Sequence, residues 1–160
     1  MCMPLFGLAP WDIRWLAWVK PTLGDALKIV TFVTMKPTIL ALFRNFSKKE
    51  LIRPSQTRFG YMYIVLENML DERVYNGLRA LMVSFEYRHK KVAHTSKREE
   101  VASIVLSVSF WRNPREIVNI CALILTLLHL VDRAGPTMGL VYELTHRMIE
   151  NITSMDDAHN

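Results

Sequence analysis

Along most of this chain apolar residues recur three and four positions apart, and the strict alternation of a half-buried strand is nearly absent. A 3.6-residue stripe buries itself by packing against other elements, and with no sheet-forming segments on offer those elements are other helices. The pattern therefore predicts an all-α single domain of about six to eight helices.

Prolines and polar clusters divide this pattern into elements. Trp11, Trp15 and Trp18 follow helical spacing with Arg14 and Lys20 off their stripe, which sets residues 1–20 apart as a Trp-rich N-terminal segment. Pro21 interrupts, and its ring suits a first helical turn, so a helix is predicted over Thr22–Thr34 with Leu23, Ala26, Leu27, Val30 and Val33 on one face. Pro37 restarts a helix through Phe46 that buries Leu40 and Phe43, with Phe46 as a further candidate. After the polar turn Ser47-Lys48-Lys49-Glu50, Arg53 precedes a proline and is pushed into extended backbone. A helix is predicted from about Arg58 to Leu70, with Tyr61, Val65 and Met69 on one side and Met62, Leu66 and Leu70 beside them. Asp71 caps the next, Glu72–Val83, which turns Val74, Leu78, Leu81 and Met82 inward.

Residues 86–100, EYRHKKVAHTSKREE, are the most polar stretch and read as a mobile loop, or as the frayed start of a helix running to Leu106. Ser109 or Asn113 caps the longest helix, where Pro114 sits in a first turn and Ile117, Ile120, Cys121, Ile124, Leu127, Leu128 and Val131 make a wide apolar face. After a turn over 132–136 a closing helix is expected over Met138–Ile152, with Leu140, Val141, Leu144, Met148 and Ile149 inward. The expected organisation is a helical domain over 21–152 and a frayed tail over 153–160.

Charge narrows the partners. The net charge is +5 and the basic excess lies early: residues 1–53 hold eight Lys or Arg against three acids, the last sixty hold four against six. This suits polyanion binding but is weak beside a dedicated nucleic-acid binder. Cys2 and Cys121 provide neither a disulfide framework nor zinc-ligand spacing, and they point to a reducing, intracellular compartment. No secretory leader is read at the start. The longest apolar run, Ile117–Val131, is 15 residues long against the ~20 of a membrane span. The tryptophans could anchor an interfacial helix, but core packing is the favoured reading.

Catalytic groups are sparse. Glu67, Asp71 and Glu72 gather at a helix end, where acids cap or solvate. There is no phosphate-cradling glycine loop, Gly-x-Ser-x-Gly elbow or His-Glu-x-x-His. His89 and His94 lack a third ligand, His129 reads as an interior or helix-edge residue, and His146 as a partner of terminal carbonyls. No cofactor is expected. The best chemical candidate is the stretch RPSQTRF, where Arg53 leads into Thr57, Arg58 and Phe59. An arginine fork matches phosphate oxygens, and a neighbouring ring stacks a base at about 1–3 kcal/mol. On spacing alone, a joint between packed helices is the favoured reading of the same residues, since an Arg-aromatic dipeptide is common.

An ordered series of segments carries a resemblance: WVKPTLGDALKIVTFV, KPTILALFRNFSKKELIRPSQTRF, YIVLENMLDERVYNGLRALMVS, the SFW at 109–111, and LLHLVDRAGPTMGLVYELTHRM. From Trp11 to Ile152 the chain resembles the central part of plant hAT-superfamily transposases, whose ribonuclease-H-like domain is interrupted by a helical insertion. The resemblance implies that Thr57, Arg58 and Phe59 occupy the family's Thr-Arg-Trp motif, whose aromatic stacks on a flipped base, here with phenylalanine in place of tryptophan. It also implies that the three metal-holding acids, the Cys-x-x-His stretch and the BED-type zinc finger are missing. The expectation is a non-catalytic transposase-derived fragment whose mode of action is binding, of nucleic acid or protein, nuclear if that descent holds and cytoplasmic otherwise. The rivals are a co-opted protein-interaction module, with self-association through exposed apolar faces, and, least favoured, a peripheral membrane protein.

Overall fold

The computed structural model describes residues 17–53, 59–89, 96–131 and 138–157. The elements are α1 (Val19–Thr34), α2 (Pro37–Phe46), α3 (Phe59–Leu70), α4 (Glu72–Val83), α5 (Phe85–His89), α6 (Ser96–Leu106), α7 (Arg112–Val131) and α8 (Met138–Asp157). The fold is all-helical as expected, with no strand among the described residues. The chain divides into two compact units, residues 21–118 and the remainder.

In the 21–118 unit the helices begin and end for local reasons. Proline opens α2 at its first turn, where a missing N–H costs nothing, and Lys36 before it is extended. The Asp71 side chain accepts a hydrogen bond from the Arg73 backbone N–H at 3.0 Å and so caps α4. Pro21 does not set the start of α1. The helix begins at Val19 and carries the proline as its third residue, still among the four leading residues whose N–H groups have no acceptor inside the helix. α1 and α2 meet at a bend of 99°, and no single described helix is long and apolar enough to cross a membrane.

α4 lies at the centre of this unit, packed against α2, α3, α5 and α6. Its predicted face is the observed one: Val74, Leu78, Leu81 and Met82 are buried. α3 contributes Val65, Leu66 and Met69, with Met62 and Leu70 half-buried. The face of α1 is rotated from the expected one. Ala26, Val30 and Val33 are buried as predicted, but Ile29 and Phe32 are buried with them while Leu23 and Leu27 are only half-buried. Phe46 is exposed rather than buried, although Phe43 and Ser47 on either side of it are buried.

The polar stretch 86–100 is not one loop. Residues 90–95 lie outside the described residues, but α5 and α6 flank them, so the alternative of a helix running to Leu106 holds for its described part. α6 succeeds with few apolar residues because Arg98 completes the face made by Val101 and Val105. The Arg98 guanidinium lies 4.1 Å from the Tyr87 ring centroid and donates to the Arg88 carbonyl at 3.3 Å. Between α6 and α7, Trp111 Nε1–H donates to the Val105 carbonyl at 2.9 Å and the indole meets Tyr75 edge-on at 4.7 Å. Asn113 lies inside the first turn of α7 rather than capping it, and its amide reaches Thr22 Oγ1 at 3.3 Å.

In the other unit, Ile120, Cys121 and Ile124 of α7 are buried as predicted. α8 continues through Asp157, past the expected end at Ile152, since no glycine or proline stops it and Thr153 and Ser154 hydroxyls donate to carbonyls of the preceding turn. Its inward face is narrower than expected: Val141, Leu144 and Met148 are half-buried, while Leu140 and Ile149 are exposed. Trp18 is buried, in keeping with core packing, but residues 17–18 form a turn rather than helix; Trp11 and Trp15 lie outside the described residues.

Candidate functional site

Of the residues singled out from the sequence, Arg53 is exposed at the end of the connection that follows α2, and Phe59 is the first residue of α3. Thr57 and Arg58 lie outside the described residues. What the structure adds is the device that holds the connection leading to them. Asn68 of α3 is buried, its Oδ1 accepts the Ile52 backbone N–H at 2.9 Å, and its Nδ2 donates to the Glu50 carbonyl at 3.1 Å. A carboxamide is suited to this, with one acceptor and one donor arm serving both groups of an irregular backbone segment. Leu51, between the two anchored residues, is buried, so the segment is pinned by packing as well.

Ser47 terminates α2 and turns the chain toward this connection. Its hydroxyl donates to the Lys49 carbonyl at 2.7 Å and its Cβ approaches α4 at Gly77. A Cβ added to Gly77 would stand 2.5 Å from Ser47 Cβ, so glycine is what permits this crossing.

Charges crowd the same region. Lys49 Nζ lies 2.8 Å from Asp71 Oδ2, and Arg73 Nε lies 3.1 Å from Asp71 Oδ1. Hydrogen bonds from Arg73 and then Lys49 hold the Asp71 carboxyl well below the usual carboxylate range. Arg44 grips Glu50 with two bonds of 2.7 and 3.1 Å. Lys48 and Arg53 are exposed on the same connection. Residues 47–53 hold Lys48, Lys49 and Arg53 against the single acid Glu50, and Glu67 and Asp71 line the shallow depression of about 590 Å³ beside α3.

The histidine expectations fare unevenly. His146 is in the body of α8, with Nε2 3.3 Å from Glu150 Oε1, and so does not serve terminal carbonyls. Glu143 pairs with Arg147 at 2.9 Å on the same helix. His94 lies outside the described residues. Among the described residues no three His, Cys, Asp or Glu side chains gather as a metal site.

Sequence reasoning does not single out Asn68, Gly77 or Arg98. Asn68 carries a signal, as the one uncharged polar residue within the apolar run of α3, while Gly77 within a helical stretch signals close approach. Arg98 carries none, because an arginine in KREE reads as solvated. Compared with protein-family models, curated proteins and solved structures, the chain has no significant match.

Proposed function

We propose that this chain is a non-catalytic helical binding module, of transposase descent as its ordered segments suggest, which contacts nucleic acid at the connection between α2 and α3. The observation that carries the reading is the excess of cations on a backbone segment held in place by a buried asparagine. Lys48 and Arg53 are exposed there, Lys49 and Arg73 share a single carboxylate, and the segment leads directly to Thr57, Arg58 and Phe59. Lysine and arginine on a fixed backbone contact phosphates without first ordering a loop. Glu67 and Asp71 line the depression beside α3, and the contact is therefore assigned to Lys48 and Arg53, which do not line it.

The test is binding of the full chain to single-stranded and hairpin DNA over a salt series. Affinity should fall steeply with salt, and Arg58→Ala and Arg53→Ala should each flatten the slope by about 0.7–0.9 for every phosphate the variant no longer neutralises. Absence of binding at low salt discards the proposal.

A second reading rests on α8. Tyr142 and Ile149, seven residues apart and so on one side of α8, are both exposed on a helix in which no described residue is buried, which suits a protein partner or a second copy of the chain. If that face mediates association, elution in size-exclusion chromatography depends on concentration, and Ile149→Glu abolishes the dependence. An unchanged elution volume across concentrations removes self-association from this reading.

A further inference from the structure

A groove of about 360 Å³ lies between the C-terminal half of α1 and the start of α6, apart from the α2–α3 connection. Phe32 and Val101, both buried, form its floor, and the Phe32 ring is backed edge-on by Tyr87 at 6.5 Å. Met35 stands at its side with 72% of its surface exposed, a flexible thioether able to fold over an apolar guest.

The rim is cationic and only partly neutralised. Lys28 is committed to Glu100 at 2.8 Å and to Asp25 at 3.0 Å. Lys36 and Lys97 also line the groove, and neither has a carboxylate partner among the described residues. The Lys36 ammonium sits 4.4 Å from the Phe32 ring centroid, so one positive charge is held directly against the apolar floor. Lys97 is the second residue of α6, where the positive end of the helix dipole adds to its charge.

We propose that this groove binds a small monocarboxylate with an apolar body, of the fatty-acid class. The tail lies on Phe32 and Val101 with Met35 folded across it, and the carboxylate is held by Lys36 and Lys97. The volume falls at the low end of small-molecule sites, roughly 300–1,000 Å³, and the combination of apolar lining with a few placed charges is the usual composition of such sites. With Glu100 committed to Lys28, two lysines remain on the rim, a match for one carboxylate rather than for an extended polyanion, which separates this groove from the nucleic-acid contact.

The experiment uses the full chain labelled with ¹³C at methionine methyls, titrated with sodium dodecanoate below its micelle concentration and, separately, with dodecanol. Met35→Leu identifies the Met35 signal. Dodecanoate should shift that signal saturably, dodecanol should bind at least tenfold more weakly, and Lys97→Glu should weaken dodecanoate at least tenfold with helicity unchanged by circular dichroism. Lys36→Gln provides a second, milder variant with the same expected direction. An unmoved Met35 signal, equal affinity for the alcohol, or indifference to both lysine variants overturns the proposal. A Met35 shift given by an acidic amphipathic peptide and not by dodecanoate also overturns it, in favour of a protein partner.

Discussion

Asp71 is the residue on which most local interactions converge, capping α4 while binding Lys49 and Arg73. Its carboxyl is held below its ordinary value, so its contribution to stability is present above the unfolded pKa of about 3.9 and is lost as the pH falls through the lower folded value. Asp71→Asn should lower the melting temperature at neutral pH, and the gap from the parent protein should narrow only below about pH 4; a gap constant down to pH 2 contradicts the assignment. Cys121 behaves oppositely. Burial pushes its thiol up to about 11, so it stays protonated at pH 8 and its contribution is lost only as the pH climbs from about 8.5 toward that value. In a Cys2→Ser background the native protein should therefore react with a disulfide reagent at pH 8 far more slowly than the denatured protein. Rapid native labelling would show that the α7 face opens readily. Asn68→Ala removes both anchors of the α2–α3 connection and should cost about 1–3 kcal/mol in chemical denaturation, since Ile52 N–H and Glu50 C=O lose their partner together. If that connection is the nucleic-acid contact, DNA affinity falls as well, although Asn68 is buried.

At the scale of the element, two helical glycines separate intrinsic propensity from packing. Gly24 of α1 has open space where a Cβ would stand, so Gly24→Ala should stabilise by about 0.8–1 kcal/mol. Gly77 of α4 faces Ser47 at a distance no Cβ tolerates, so the same exchange should destabilise by about 1–3 kcal/mol. Urea midpoints of the two variants check this directly, and a Gly77→Ala protein as stable as its parent would mean that α2 can yield. The contrast explains what was legible. The Pro37 start, the Asp71 cap and the face of α4 depend on residues within one helix, and they stand as the sequence predicts. The rotated face of α1, the exposed Phe46 and the outward Leu140 and Ile149 depend on what lies opposite, which periodicity does not encode. Of the residues expected to contact nucleic acid, Arg53 lies on the connection after α2 and Phe59 opens α3; the asparagine clamp on Glu50 and Ile52 needed a second element to become visible.

Across the whole molecule, protection is expected to be uneven. α4 is packed by four neighbours and buries five residues, whereas no described residue of α8 is buried. Amide hydrogen exchange should be slowest in α4 and orders of magnitude faster in α8, unless a partner or second copy covers α8. Uniform protection in the monomer contradicts this gradient. The net charge of +5 operates at this scale too, favouring encounter with anions; which anion binds is what the experiments proposed for the α2–α3 connection and the α1–α6 groove decide. Helical period, proline and an acidic cap are properties of the chain taken a few residues at a time, and from them alone came the all-helical class and most of the helix limits. Tertiary structure decided which polar side chains go inside, that Gly77 must lack a Cβ, and that Lys36 and Lys97 flank an apolar floor. The physical reason is that burial and charge environment belong to pairs of surfaces, and a sequence read along its length orients each helix about its own axis without naming the surface that faces it.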